Sequence, residues 1–193
     1  MSLESALESY PKQASTQSGL KITLRPLVAA DAKALAEFFR ALPQEELMFL
    51  KERLNDPAVL KQWCKRLDYH QNLPLLAWND KHLVGVVILR QEQGGWKRHI
   101  GHINVYVHPK QRGQGIGRLL IAEIIDLARR AGLERLEAEF FGAQENAMKL
   151  FGLMGFSNLL SLPEYVKDMQ ANAHDYIMMG IKLSTEEEYA GMG

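Results

Sequence analysis

The stretch from Val105 to Leu120 reads VYVHPKQRGQGIGRLL and carries the strongest structural signal in the sequence. An apolar strand pattern ends at Val107, a helical pattern begins near Ile116, and glycines at positions 113 and 115 lie between them. The first N–H groups of a helix have no partner within the helix and carry about half a positive charge. Because glycine also lets the backbone approach an anion closely, this turn is suited to a phosphate or pyrophosphate.

Two nucleotide-binding motifs are excluded by the residues around this turn. A dinucleotide site needs its glycine turn in the first strand–helix unit of a parallel sheet, whereas this turn follows several predicted strands. The phosphate loop of ATPases needs Gly-Lys-Ser/Thr, and here Gly117 is followed by Arg118 and Leu119. The glycine spacing alone would also suit a purely structural turn, so the wider sequence has to decide.

Length and composition indicate one soluble domain. The chain has 193 residues, 47% hydrophobic and 24% charged, and it contains no apolar run of the ~20 residues that a membrane span needs. Lys plus Arg equals Asp plus Glu at 23 each, so no global field attracts nucleic acid or an anionic membrane. Cys64 is the only cysteine and the start lacks a secretion signal, so we expect a cytoplasmic protein without disulfides.

The spacing of apolar residues predicts alternating strands and helices along the chain. The predicted strands span residues 20–25, 73–78, 82–91, 98–107, 136–141, 156–160 and 175–183. The predicted helices begin at the N-caps Asp31 and Asp56, cover an amphipathic run over 45–54, and span 116–131 and 144–154, with Gly132 and Gly155 as stops. Residues 1–19 are predicted to be a mobile arm that can dock as a short helix, 20–183 the folded domain, and 184–193 an acidic, frayed tail.

Two segments in the right order resemble the GNAT acyltransferases. Arg112, Gly115 and Gly117 match the family signature [Arg/Gln]-x-x-Gly-x-[Gly/Ala], and AMKLFGLMGF from Ala147 to Phe156 is similar to the family's second conserved helix and its Gly-Phe exit. The resemblance covers about residues 20–183 and implies the GNAT fold. That fold is an α/β (α+β) architecture with a central, mixed, mostly antiparallel sheet of about six or seven strands flanked by about four helices.

The resemblance also implies an acyl donor and the residues that bind it. The donor would be acetyl-CoA, or a close acyl-CoA relative. The acceptor would be a primary amine of a small molecule, a protein or a peptide, which attacks the thioester directly in a ternary complex. The pantetheine arm would bind the backbone of Val105, Tyr106 and Val107. The pyrophosphate and adjoining groups would bind Arg112, Gly113, Gln114, Gly115, Ile116, Gly117, Arg118 and Gln144.

Three residues are candidates for receiving the proton of the amine. Glu139 stands where some N-terminal-alanine acetyltransferases of this superfamily carry a catalytic glutamate, and it lies on a strand that alternates apolar and acidic residues. His99 and His102 fall on the strand where other members place a base. Alternation sends these two histidines to opposite faces unless a bulge intervenes. Ordinary solvent-facing or structural roles remain alternatives for each of the three.

Two departures from the family pattern leave the mechanism open. Gln144 occupies the family's asparagine position, and Phe151 occupies the position where many members keep a tyrosine acid, although phenylalanine cannot donate a proton. The thiolate then leaves unassisted, or Tyr106, Tyr165 or Tyr176 substitutes, or the protein is a non-catalytic acyl-CoA-binding sensor.

We expect no metal, because one cysteine and six scattered histidines offer no ligand pair beyond His99-x-x-His102. The resemblance is compatible with a homodimer.

Overall fold

The computed structural model describes residues 3–47, 54, 56–168 and 170–183. The α-helices are α1 (Leu3–Leu7), α2 (Ala32–Arg40), α3 (Gln44–Leu47), α4 (Pro57–Lys65), α5 (Ile116–Arg130) and α6 (Glu145–Leu153). The strands are β1 (Lys12–Ser15), β2 (Lys21–Pro26), β3 (Asn72–Asn79), β4 (His82–Gln91), β5 (Ile100–Val107), β6 (Arg135–Phe141), β7 (Ser157–Lys167) and β8 (Ala173–Lys182).

The strands are hydrogen-bonded in the order β1-β2-β3-β4-β5-β6-β8-β7. The β1–β2, β2–β3, β6–β8 and β7–β8 pairs are antiparallel, and β5 and β6 form a parallel pair. The predicted mixed, mostly antiparallel α/β architecture is therefore confirmed. Within the described residues the sheet has eight strands rather than the predicted six or seven, because β1 forms within the stretch predicted as an arm.

The chain forms two compact units, and β4, β5 and α5 contribute residues to both. Among the described residues, the first unit consists of 3–8, 89–104 and 121–183, and the second of 9–88 and 105–120. Each unit has its own set of buried apolar residues. The boundaries predicted for the arm, the domain and the tail stay predictions, and the tail at 184–193 lies outside the described residues.

The core of the second unit is built from the apolar face of α2 and the strands beside it. Buried residues that share this core are Leu27, Leu35, Phe38, Phe39, Leu60, Cys64, Leu76, Val86, Ile88 and Tyr106. Asp56 caps α4 as predicted, since its Oδ1 accepts the N–H of Ala58 at 2.9 Å. Asp31 occupies the N-cap position of α2, as predicted, but its side chain makes no cap hydrogen bond to α2 and binds Arg25 instead.

The core of the first unit contains the apolar face of β6 and an aromatic cluster. Leu136, Ala138 and Phe140 are buried on that face. Phe151 lies between Phe140 and Phe156, with ring centroids 5.0 and 4.9 Å apart in edge-to-face contacts.

Several predicted boundaries hold and several shift. Gly132 and Gly155 have positive φ angles of 81° and 92° and follow α5 and α6, as predicted. Strand β5 begins at Ile100 rather than 98, and β7 and β8 are longer than predicted because they pair with each other as far as Lys167 and Ala173. Most of the amphipathic run over 45–54 lies outside the described residues.

Candidate functional site

The glycine turn joins β5 to α5 with two residues in the left-handed region. After Val107 the chain makes a 3₁₀ turn at Pro109–Gln111, and Gly113 and Gly115 then adopt φ angles of 77° and 83°. Residues with a Cβ rarely adopt these angles, so glycine is needed at both positions. Around Gly113 a Cβ would meet nothing within 4 Å, so this part of the turn faces open space.

The N–H groups of residues 113–118 form a row of hydrogen-bond donors. The first bond into α5 runs from the N–H of Leu119 to the carbonyl of Gly115 at 3.0 Å, and no acceptor for the six preceding N–H groups lies in the described part of the chain. Helix α5 has 15 residues, so its dipole adds positive potential at this end. These features fit an anion such as a pyrophosphate.

Polar contacts within the second unit hold the start of the turn. The His108 N–H donates to the Val84 carbonyl at 2.9 Å, and its Nδ1 accepts the N–H of Lys110 at 3.3 Å. Burial lowers the pKa of His108, and the charges of Lys110 and Arg112 lower it further. The imidazole therefore stays neutral at pH 7 and keeps its Nδ1 lone pair for this contact.

Arg112 is paired rather than free. Its NH2 group donates to the two carboxylate oxygens of Glu46 at 2.6 and 2.8 Å, and its Nε donates to the Val107 carbonyl at 3.4 Å. The contact to Val107 ties the guanidinium to the end of β5. Arg118 carries an exposed side chain in the first turn of α5.

Close packing fixes the first turn of α5 against β4. A Cβ on Gly85 would lie 2.8 Å from Ile116 Cγ2 and 2.8 Å from Leu120 Cδ1, so only glycine fits here without a shift. Tyr106 is 7% exposed and its ring contacts Phe39 edge-to-face at 5.6 Å. The side chain of Tyr106 therefore packs in the core, and the backbone of Val105 to Val107 is what a ligand could bind.

In the first unit, one face of β6 carries two carboxylates. Glu137 and Glu139 are two residues apart and so point to the same face; Glu137 is 8% exposed, whereas Glu139 is exposed. Tyr176 hydrogen-bonds Glu139. Burial raises the pKa of Tyr176 to about 12, together with the charge of Glu139, the hydrogen bond to it and the charges of Glu137 and Tyr165. The phenol is therefore protonated at neutral pH and donates to the Glu139 carboxylate.

The two predicted histidines occupy different places. His102 lies on β5 beside Glu137, with Nε2 3.7 Å from Oε2, and its buried Nδ1 has no hydrogen-bond partner among the described residues. His99 lies in the turn before β5, where its carbonyl accepts the N–H groups of Glu134 at 2.9 Å and Arg135 at 3.3 Å. His99 was predicted to be on the strand; its backbone instead links the turn to the start of β6.

The alternation of buried and half-buried side chains along β5 changes before the end of the strand, as it would at a β-bulge. Gly101 and Ile103 are buried, and the next buried residue is Tyr106, an odd number of positions further on. Strand β5 pairs with β6 from Ile100 to His102, opposite Arg135 to Glu137. The alternation of buried and half-buried residues therefore shifts by one position between Ile103 and Tyr106, as it does at a β-bulge.

Comparison with known proteins then identifies the family. The model of the acetyltransferase (GNAT) family matches residues 34–156, which include the glycine turn and helix α6. The chain belongs to the GNAT family.

Three proteins of known name show how this GNAT chain relates to others. L-methionine sulfoximine/L-methionine sulfone acetyltransferase of Salmonella typhimurium strain LT2 is 30% identical over 46% of this chain and 61% of its own length. Ribosomal-protein-S5-alanine acetyltransferase from Vibrio fischeri has a TM-score of 0.75 at 18% identity, covering 90% of this chain and 97% of that chain. The yncA structure from Salmonella typhimurium with its cofactor acetyl-CoA has a TM-score of 0.70 at 21% identity, covering 84% and 94%. The GNAT chain spans 49% to 61% of the length of the curated relatives it matches.

Both departures from the GNAT pattern have structural roles. Gln144 precedes α6, and its Oε1 accepts the N–H of Phe141 at 3.1 Å, which closes the turn after β6. Phe151 is 4% exposed within the aromatic cluster of the first unit. The phenylalanine at the family's tyrosine position therefore packs in the core.

No group of three or more His, Cys, Asp or Glu suited to a metal ion occurs in the part of this GNAT chain that the structure describes. Among the same residues, no helix is long and apolar enough to cross a membrane.

The sequence analysis missed three contributors to these surroundings. Glu137 lies two residues before Glu139, so the strand pattern could have placed both on the same face. The burial of Glu137 could not be predicted, because it depends on neighbours distant in sequence. Glu46 binds Arg112 and Ser18 binds the carbonyl of Gln114, and no sequence motif links either pair.

Proposed function

We propose that this GNAT protein is an N-acetyltransferase that transfers the acetyl group of acetyl-CoA to a primary amine by direct attack. The observation that carries the proposal is the row of N–H groups at residues 113–118, which precedes a 15-residue helix in a chain of this family. Bound acetyl-CoA supplies an activated acetyl thioester. The residues of the chain hold the donor, accept the amine's proton and orient the acceptor.

On the donor side, the N–H groups of residues 113–118 bind the pyrophosphate. The backbone of Val105, Tyr106 and Val107 binds the pantetheine arm as an added strand would. The Oε1 atom of Gln144 already accepts the Phe141 N–H. Gln144 therefore contacts acetyl-CoA through its side-chain amide nitrogen. The glycines at 113 and 115 keep side chains away from the anion.

Glu139 is our candidate for the group that receives the amine's proton. An amine with a lysine-like pKa near 10.4 is mostly protonated at pH 7, and an ammonium has no lone pair for attack. Glu139 is exposed, so an acceptor can reach it, and the Tyr176 hydroxyl holds its carboxylate. His102 with Glu137 is the second candidate. His99 is the weakest of the three, because its described contacts are made by the backbone.

The leaving thiolate departs without a protein acid in this proposal. A thiol pKa near 8.5 makes the thiolate a tolerable leaving group near neutral pH. Phe151 has no proton to give. With a pKa of about 12, Tyr176 is a much weaker acid than the thiol and is unsuited to protonate the thiolate.

For the acceptor, we favour the α-amine of a small amino-acid-like molecule over a protein N-terminus. The support is that the relative with 30% identity is named for L-methionine sulfoximine and L-methionine sulfone. A ribosomal protein amine, as in the name of the Vibrio fischeri protein, rests on likeness of fold at 18% identity. A second candidate function is a non-catalytic acyl-CoA sensor. Phe151 favours it, because phenylalanine cannot donate a proton to the leaving thiolate.

Thiol release separates these functions. The protein is incubated with acetyl-CoA and a panel containing L-methionine sulfoximine, L-methionine sulfone, the common amino acids and an alanine-initiated peptide, and free thiol is followed. We expect release with at least one amino-acid acceptor, and a kcat lowered about hundredfold or more in Glu139→Gln with unchanged acetyl-CoA affinity. Glu134→Gln, an exposed glutamate just before β6, is the matched control.

Tight acetyl-CoA binding without thiol release for any acceptor would support the sensor and contradict the enzyme. Equal rates of thiol release in Glu139→Gln and the unaltered protein would show that Glu139 does not receive the amine's proton.

A further inference from the structure

The loop that joins β1 to β2 lies against the glycine turn. This loop, residues 16–20, is called here the hairpin tip. The Ser18 hydroxyl donates to the Gln114 carbonyl at 3.0 Å. A Cβ on Gly115 would lie 3.5 Å from Thr16 Cβ and 3.7 Å from the Gln17 nitrogen, which is ordinary van der Waals distance. The hairpin tip therefore covers one side of the turn.

The hydrogen bonds of the hairpin tip form one chain that ends at the Gln114 carbonyl. The Leu20 N–H donates to Thr16 Oγ1 at 3.2 Å, and Thr16 Oγ1 lies 2.9 Å from Ser18 Oγ. A carbonyl can only accept, so the single hydrogen of the Ser18 hydroxyl goes to Gln114. Thr16 must then donate to Ser18. Thr16 is 6% exposed, which keeps this chain of hydroxyls in place.

This contact sets the direction of one N–H group in the row. In a planar trans peptide the carbonyl of Gln114 and the N–H of Gly115 point in opposite directions. With the carbonyl held by Ser18, the Gly115 N–H points away from the hairpin tip. Rotation of this peptide changes the ψ angle of Gln114 and the φ angle of Gly115. Because glycine has wide freedom in φ, the peptide can rotate without an anchor.

We propose that Ser18 is a positioning residue of the donor site, acting through the Gln114–Gly115 peptide. Its hydroxyl holds the Gly115 N–H in the direction that meets the pyrophosphate of acetyl-CoA. Binding of acetyl-CoA then does not have to offset the entropy lost when this peptide is ordered. The inference rests on the proposed function, because it requires acetyl-CoA to bind at residues 113–118.

Titration calorimetry of the full chain with acetyl-CoA tests the role. We expect Ser18→Ala to weaken binding about three- to tenfold, the range for one hydrogen bond, while Ser18→Thr keeps the hydroxyl and most of the affinity. The KM for acetyl-CoA should rise by the same factor with kcat and the acceptor KM unchanged. The amide NMR signal of Gly115 should also move, since its peptide loses a hydrogen bond.

Ser15→Ala is the matched control, because Ser15 is exposed on β1 in the same hairpin. Its affinity should equal that of the unaltered protein. Acetyl-CoA affinities within twofold for Ser18→Ala and the unaltered protein would overturn the positioning role alone. Equal losses in Ser15→Ala and Ser18→Ala would overturn it as well, and failure of the unaltered protein to bind acetyl-CoA would overturn both this inference and the proposed function.

Discussion

Asp31 joins the strand and the helix at the start of the second unit through three hydrogen bonds. Its Oδ2 and Oδ1 accept from the two NH groups of Arg25 at 2.6 Å each, and Oδ2 also accepts the Val28 N–H at 2.9 Å. Arg25 in turn lies 4.8 Å from the centroid of the Trp78 ring. Burial alone would raise the pKa of Asp31, but the Arg25 and Val28 hydrogen bonds and the Arg25 charge outweigh it and lower the pKa.

Asp31→Asn is expected to destabilise the protein by about 2–3 kcal/mol, because it leaves the Arg25 charge without its partner. A lowered native pKa means that the contribution of Asp31 is complete above the unfolded value of about 3.9. It is lost as the pH falls through the native pKa. Urea unfolding from pH 3 to 8 should therefore show a constant difference from Asp31→Asn above about pH 5 that shrinks in acid.

Asp126→Asn is the control for the Asp31 experiment, since Asp126 and Arg130 form a half-exposed i,i+4 pair on α5. That loss should be below about 1 kcal/mol. Equal losses in the two variants would show that burial and the Val28 contact add nothing to the Asp31 pair.

Tyr176 is expected to act through Glu139. Tyr176→Phe removes the hydrogen bond to the Glu139 carboxylate, so kcat should fall about three- to tenfold while the acetyl-CoA KM stays the same. A double-mutant cycle checks the route. In the Glu139→Gln background Tyr176→Phe should have little further effect, and a full additive loss there would assign Tyr176 a separate role.

At the scale of elements, local chemistry explains which parts of the fold could be predicted from the sequence. Helix α5 has a full apolar face and a glycine stop at Gly132, and α4 has Asp56 and Pro57 at its start, so both could be located from a few neighbouring residues. Strand β1 could not, because KQAS is polar and becomes a strand only by pairing with β2. The N-cap position of Asp31 could be predicted, but the partner of its side chain could not, because Arg25 lies on the preceding strand rather than in α2.

The contact of α5 with β4 yields a prediction about Gly85. Gly85→Ala places a methyl group 2.8 Å from side-chain atoms of Ile116 and Leu120, so the first turn of α5 has to shift. We expect a loss of about 1–3 kcal/mol in the free energy of unfolding and a severalfold weaker affinity for acetyl-CoA. Thermal or urea melts and calorimetry measure the two effects.

Gly152→Ala is the comparison for Gly85→Ala. Gly152 lies within α6 and a Cβ there meets nothing within 4 Å, so alanine should stabilise the helix by up to about 1 kcal/mol. If Gly85→Ala were as stable as the unaltered protein and bound acetyl-CoA equally well, the packing of this turn would not matter for the donor site.

In the whole molecule, the sequence locates the proposed donor turn more directly than the candidate groups for proton transfer. The proposed donor turn is one contiguous segment that would act through backbone N–H groups, so the positions of Gly113 and Gly115 are visible in the sequence. Proton transfer depends on side chains from different strands. Glu137, Tyr176 and His102 come together by strand pairing, so spacing alone could point to Glu139 but could not predict its neighbours.

The whole molecule carries equal numbers of basic and acidic residues, 23 each, so a general positive field does not explain anion binding. Any affinity for a pyrophosphate has to come from the local row of N–H groups and the end of α5. The central claim of the account is therefore that acetyl-CoA binds at residues 113–118.

Calorimetric titration of acetyl-CoA into the unaltered protein, Gly115→Glu and Gly95→Glu tests that claim. Both glycines have a φ of 83°, so both variants bear the same backbone strain and charge, but Gly95 lies in the loop between β4 and β5. We predict that Gly95→Glu binds acetyl-CoA like the unaltered protein. Gly115→Glu adds a negative charge to the turn, and its side chain starts 3.5 Å from Thr16 of the hairpin tip, so it should lose at least about hundredfold in affinity. Equal affinities in Gly115→Glu and the unaltered protein would contradict the account.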